Sequence, residues 1–136
     1  MITLKDRLLK RITKSEDLVF LRKEFNKMGG YDQVGRALLQ LVNEGVLVKS
    51  GYGVYTKAER SIYTDKPIPS ATLSEIGFIF LKKSRIKAAL GRAALLYAQG
   101  ETTQMPVGAI IDIGRARVTR KIKVGSKILA YERSKA

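Results

Sequence analysis

Gln33, Arg36, Gln40 and Asn43 recur at i, i+3, i+7 and i+10, a spacing that gathers side chains on one face of a helix. Their types set the chemistry. Arg, Gln and Asn can make paired hydrogen bonds to base edges in the major groove of DNA. A face built only for solubility would carry Glu and Lys instead. Around this set, Arg22, Lys23, Tyr31, Lys49, Tyr52 and Lys57 supply cations and phenols suited to phosphate oxygens. Two plainer readings stand beside this one: Arg36 can pair with Asp32 on the same helix, and Tyr31 can belong to a core.

The elements that must hold these side chains follow from the pattern. Leu4, Leu8, Leu9 and Ile12 predict an amphipathic helix over residues 3–13, with Thr3 as N-cap and Asp6 three residues on. Val19-Phe20-Leu21 fits a minimal strand, and residues 22–28 fit a short helix turning Phe25 and Met28 inward. Asp32 is placed to cap a helix over residues 32–44 that buries Val34, Ala37, Leu38, Leu41 and Val42, with Gly45 just past its end. Two β-prone runs, residues 46–50 and 54–57, flank the loop Gly51-Tyr52-Gly53 as in a hairpin. Helix, strand, helix, turn, helix and hairpin is the order of a winged helix-turn-helix, with residues 32–44 as recognition helix and Tyr52 at the wing tip.

Composition sets the limits on function. The chain has 136 residues, with 26 Lys+Arg against 12 Asp+Glu and a formal net charge of +14. It holds no Cys, His or Trp. Without Cys there are no disulfides, thiolate zinc sites or thiol nucleophiles, and without His the commonest metal ligand and general base are gone. Asp65, Glu75, Glu101 and Asp112 are scattered without metal-ligand spacing, so neither an enzyme nor a cofactor is expected. The charged N-terminus, Met1-Ile2-Thr3-Leu4-Lys5-Asp6-Arg7, does not fit a signal peptide, and the apolar run 76–81 is too short to span a bilayer. The expectation is a cytoplasmic protein with a polyanionic partner and no membrane partner.

Residues 1–60 carry 12 Lys+Arg and 7 Asp+Glu, or +5, and residues 61–136 carry 14 and 5, or +9. These ranges are the expected domains, the second a small basic α+β region. Residues 58–70, with Lys66-Pro67-Ile68-Pro69, read as a stiff linker. Helices are expected from Ser70 or Ala71 to Lys83, with Gly77 inside, and over 91–99, packing through Ala93, Ala94, Leu96 and Tyr97. A strand is expected over 109–113. Residues 115–124 alternate as a second strand, with Arg120 as the one charge on the apolar side, and turn at Gly125-Ser126 into a third strand over 127–132. That alternation lines up Arg115, Arg117, Lys121 and Lys123 as a stripe for phosphates or for an acidic protein, or as charge protecting a sheet edge.

The assembled motifs resemble a known family. Leu4-Lys5-Asp6-Arg7-Leu8-Leu9-Lys10-Arg11-Ile12, Val19-Phe20-Leu21-Arg22-Lys23-Glu24-Phe25 and Tyr31-Asp32-Gln33-Val34-Gly35-Arg36-Ala37-Leu38 look like the winged-helix domain of AbiEi-type antitoxins. Leu41-Val42-Asn43-Glu44-Gly45 and Gly51-Tyr52-Gly53-Val54-Tyr55 continue the likeness. Tyr97-Ala98-Gln99-Gly100-Glu101-Thr102-Thr103-Gln104-Met105-Pro106 is similar to a signature of small relatives of that family. The resemblance implies a transcriptional regulator that represses its own promoter by binding DNA repeats there. In the full AbiEi systems a second domain also counters a toxin indirectly, without a stable complex. This chain departs from those larger members by a much shorter second region, which leaves open a stand-alone repressor or a toxin-free relative. Two alternatives remain at this stage: a protein-interaction antitoxin module without sequence-specific DNA binding, and an RNA-binding protein.

Overall fold

The computed structural model describes residues 2–104 and 108–134. The chain folds as a mixed α+β protein in two units that divide between Ala71 and Thr72, later than the expected boundary at residue 60. The cause is local. Residues expected as a linker belong to the sheet of the first unit.

In the first unit, α1 (Leu4–Lys14) starts at the expected cap: Thr3 Oγ1 accepts the Asp6 N–H at 3.1 Å, and Asp6 Oδ2 accepts the Thr3 N–H at 3.1 Å. The helix buries Leu8 and Ile12. Strand β1 (Val19–Leu21) follows, but the short helix expected over 22–28 shrinks to a 3₁₀ turn, Arg22–Phe25. So few residues before Gly29-Gly30 cannot repay helix nucleation. The one turn still buries Phe25, while Met28 is only half-buried.

Helix α2 (Tyr31–Asn43) begins one residue earlier than expected, with Gly30 rather than Asp32 as N-cap. Gln33 Oε1 accepts the Gly30 N–H at 3.3 Å, and Asp32 falls in the first turn, where its carboxylate suits the positive end of the helix dipole. At the other end Gly45 takes φ +80°, and the Val46 N–H reaches the Leu41 carbonyl at 2.9 Å. Val34, Ala37, Leu38 and Leu41 are buried, and Val42 half-buried.

Strands β2 (Leu47–Gly51) and β3 (Val54–Arg60) form the hairpin around a turn of Tyr52 and Gly53, tighter than the expected three-residue loop. Gly53 holds φ +68°. The register shifts between Lys49 and Gly51, so Ser50 is the extra residue; it is buried, with its hydroxyl 2.8 Å from that of Thr56. Strand β3 also pairs antiparallel with β1 and with β4 (Pro67–Pro69), through Phe20↔Tyr55 and Glu59↔Ile68. The two prolines donate no ladder bonds, a composition that only an edge strand tolerates and that reads as linker in sequence.

In the second unit, α3 (Leu73–Lys83) is capped as α1 is. Thr72 Oγ1 accepts the Glu75 N–H at 3.2 Å, and Glu75 Oε1 accepts the Thr72 N–H at 3.0 Å. Strand β5 (Ala89–Leu90) pairs antiparallel with β6 (Ile110–Asp112), and β9 (Ala130–Glu132) runs parallel to β6. Helix α4 (Arg92–Ala98) has no buried residue: of its four expected packing residues, Ala94 and Leu96 are half-buried, and Ala93 and Tyr97 exposed. The strand expected over 115–124 is reduced to β7 (Lys123–Val124), paired with β8 (Lys127–Ile128). The expected third strand breaks at buried Leu129, whose N–H bonds the Ile122 carbonyl at 2.8 Å.

Gly77 lies where α3 meets this sheet. A Cβ there would stand 2.5 Å from Leu129 Cδ2 and 2.7 Å from Ile111 Cδ1. Gly77→Ala is therefore expected to destabilise by up to about 2 kcal/mol net, an overpacking cost of about 1–3 kcal/mol offset by a gain of about 1 kcal/mol in helix propensity. Chemical denaturation decides the sign, and stabilisation would show that the neighbours yield freely.

The two capping carboxyls make a pH prediction. Asp6 and Glu75 titrate below their ordinary values of 3.8 and 4.5, first because the backbone N–H groups of Thr3 and Thr72 bond the ionised forms. A depressed folded-state value adds stability above the unfolded-state value and loses it as pH falls through the folded one. Far-ultraviolet circular dichroism should thus show helix loss beginning below about pH 4. The double variant Asp6→Asn, Glu75→Gln should flatten that acid limb.

Candidate nucleic-acid interface

Helix α2 turns Gln33, Arg36, Gln40 and Asn43 outward, and all four are exposed. Among the described residues no ion pair joins Arg36 to Asp32, so the guanidinium is not consumed within the helix. Gln33 is partly committed: its carbonyl oxygen caps the helix, leaving the amide NH₂ as its outward donor. Leu39, 51% exposed and three residues after Arg36, joins the same face. Spacing alone does not single it out, because it lies next to the buried stripe of the same helix. An apolar side chain there is suited to a thymine methyl group.

The hairpin tip meets the start of α2 through two phenols. The Tyr31 and Tyr52 hydroxyls are 2.9 Å apart, with the residues 58% and 63% exposed. Tyr31 is thus a surface residue, not core. Its phenol titrates above the ordinary tyrosine value, first because of the hydrogen bond with Tyr52 and against the lowering influence of Arg22, so at neutral pH it keeps its proton. Lys49 is exposed, with Nζ 6.0 Å from the Tyr52 ring centroid.

Arg22 has a different part from the one expected. Its guanidinium lies 3.6 Å over the Tyr31 ring, and Nη2 donates to the Tyr31 carbonyl at 2.6 Å. Its backbone N–H bonds the Gly53 carbonyl at 2.9 Å. The side chain can lie this close to α2 only because residue 35 is glycine: a Cβ there would be 2.7 Å from Arg22 Cζ. Half-buried, Arg22 fixes the hairpin tip against α2, whereas Lys23 beside it is exposed. No sequence spacing reports such a contact between a 3₁₀ turn and a glycine.

Lys57 does not join the set. Its ammonium donates to the Ser15 carbonyl at 2.5 Å, joining β3 to the end of α1, and Lys57 sits several strand positions from the tip. The residues brought together are therefore Tyr31, Gln33, Arg36, Gln40, Lys49 and Tyr52, with Lys23 near and Arg22 beneath them.

In the second unit Arg115, Arg117, Lys121 and Lys123 are exposed, on a segment that has no ladder before Lys123. Arg120 is half-buried, its guanidinium 5.9 Å from the Phe80 ring centroid. Of the Thr102-Thr103-Gln104-Met105-Pro106 motif, Met105 and Pro106 lie outside the described residues. Among the described residues, no three His, Cys, Asp or Glu side chains are grouped to hold a metal ion, and no helix is long and apolar enough to cross a membrane.

The molecule is thus a mixed α+β protein with four helices and several short sheets among its described residues. It belongs to a family of unknown function, DUF6088, whose pattern matches residues 6–136. No curated protein matches the sequence.

Proposed function

We propose that the first unit is a winged helix-turn-helix that reads duplex DNA, and that the chain is a transcriptional regulator of the AbiEi antitoxin kind, repressing its own promoter. In this reading α2 enters the major groove through Arg36 and Gln40, with Gln33 donating from its first turn. The β2–β3 hairpin is the wing, and Lys23, Lys49, Tyr31 and Tyr52 hold phosphate oxygens. The observation that carries it is the pairing of an outward Gln/Arg/Gln/Asn helix face with a cationic, phenolic hairpin tip joined to the same helix through Tyr31 and Tyr52.

Selection of bound duplexes from a random pool tests the reading. A recurring site is expected, and a bound pool without sequence preference would overturn it. On that site Lys49→Ala should weaken selected and random duplexes alike and reduce the slope of log K against log salt by about one.

A further inference from the structure

The segment between Gly114 and β7 has a property that its missing ladder makes visible. From Arg115 to Val124 exposure alternates residue by residue, the period of an extended chain. The Ile122 carbonyl accepts the Leu129 N–H at 2.8 Å, and the Arg120 carbonyl accepts the Tyr131 hydroxyl at 2.7 Å. The even-numbered backbone groups therefore turn toward the body of the second unit. In an extended chain the odd-numbered ones point to the opposite edge. Among the described residues, the backbone groups of Arg117, Thr119 and Lys121 make no hydrogen bond. An open edge thus coincides with a row of exposed cations, Arg117, Lys121 and Lys123, spaced about 6.6 Å per pair of residues, and begins after Arg115, whose carbonyl accepts Arg133 Nη2 at 3.0 Å.

We propose that this edge takes an extended acidic peptide segment of a partner protein as an added strand, with alternate Asp or Glu side chains against the cation row. Three physical points select that occupant. An edge presents N–H and C=O groups in turn, and a peptide backbone satisfies both. A phosphate backbone accepts from the N–H groups but meets the outward carbonyls with like partial charge. A second copy of this chain would set cation against cation across the pair, the arrangement by which edges resist self-association. The proposal rests on the second unit and stands apart from the DNA-reading face of the first.

The probe is a synthetic peptide of alternating Glu and Thr, about nine residues long to span the segment, titrated into the full-length chain. Amide NMR shifts and peptide fluorescence anisotropy are read at fixed salt. Binding should move the amide signals of Arg117, Thr119 and Lys121. Two further peptides carry backbone N-methyl groups on the Glu or on the Thr positions. One of the two should lose affinity by about tenfold or more, because it removes the ladder donors without changing charge. The double variant Arg117→Glu, Lys121→Glu should lose the Glu/Thr peptide and gain a Lys/Thr peptide, a swap that a misfolded variant cannot produce. The proposal is overturned if the first peptide does not bind, if neither N-methylated peptide weakens, or if duplex DNA displaces the peptide and shifts the same amides at the same salt.

Discussion

On the proposed DNA-reading role, Arg36→Ala is expected to weaken binding to a selected duplex by about 5- to 150-fold, equivalent to about 1–3 kcal/mol, while random duplex of equal length loses only one cation's share. The size follows from where the side chain sits. Arg36 is exposed at the centre of the α2 face, and no ion pair with Asp32 has to be broken for it to reach a guanine edge. A bidentate guanidinium contact discriminates among bases, whereas a phosphate contact does not. The variant should therefore also relax base preference at the position it reads. Electrophoretic mobility titrations on both duplexes, at matched salt, provide the measurement. Equal fold-losses on the two would remove direct readout by this residue.

Gln40 and Gln33 should divide unequally in the same assay. Gln40 is exposed, and among the described residues its side chain makes no hydrogen bond, so Gln40→Ala removes an amide able to present donor and acceptor together to adenine. Gln33 already uses its oxygen on the Gly30 N–H. Its substitution acts on the helix start as well as on DNA, and a stability measurement separates the two effects.

The parts of the fold that the sequence makes legible are those whose signals are local. Thr3 with Asp6, the stripe Val34, Ala37, Leu38 and Leu41, and Gly45 each act within a turn or two of chain, and the structure has them as the sequence expects. What the sequence conceals depends on partners remote in the chain. The alternation after Arg115 is present in burial, and Arg120 faces inward as its place in the pattern implies. Periodicity, however, reports only that one side is buried, and a ladder requires a neighbouring strand that no local pattern supplies. Strand β4 was hidden by the opposite bias, since two prolines suggest a linker although β3 offers them an edge. At the candidate site the same division holds. The outward residues of α2 can be read from spacing, but Arg22 and Lys57 cannot be told from free surface cations until Gly35 and the Ser15 carbonyl are seen beside them.

Phe25→Ala is the substitution expected to cost the first unit most, about 3–5 kcal/mol. The ring is 0% exposed, lies 6.0 Å from the Phe20 ring centroid, and has the Arg11 guanidinium 5.2 Å from its own centroid. It belongs to the cluster formed by α1, α2, β1, β2 and β3, among Leu8, Ile12, Leu38 and Leu41. Truncation leaves a cavity that these neighbours, on separate elements, cannot all close at once. The lost stability is a large share of the 5–15 kcal/mol typical of a small domain, about a third to a half in the middle of that range. There is a functional corollary. Phe25 anchors the 3₁₀ turn in which Glu24 Oε2 accepts the Leu21 N–H at 2.6 Å, and from which the Arg22 N–H holds the Gly53 carbonyl. Loosening that turn frees the hairpin tip from α2, so DNA affinity should fall by more than the unfolded fraction alone explains. Denaturant midpoints and DNA titrations on Phe25→Ala and the milder Phe25→Leu test both statements. An unchanged midpoint in Phe25→Ala would show that the turn is held from elsewhere, and affinity tracking only the folded fraction would separate the tip from its anchor.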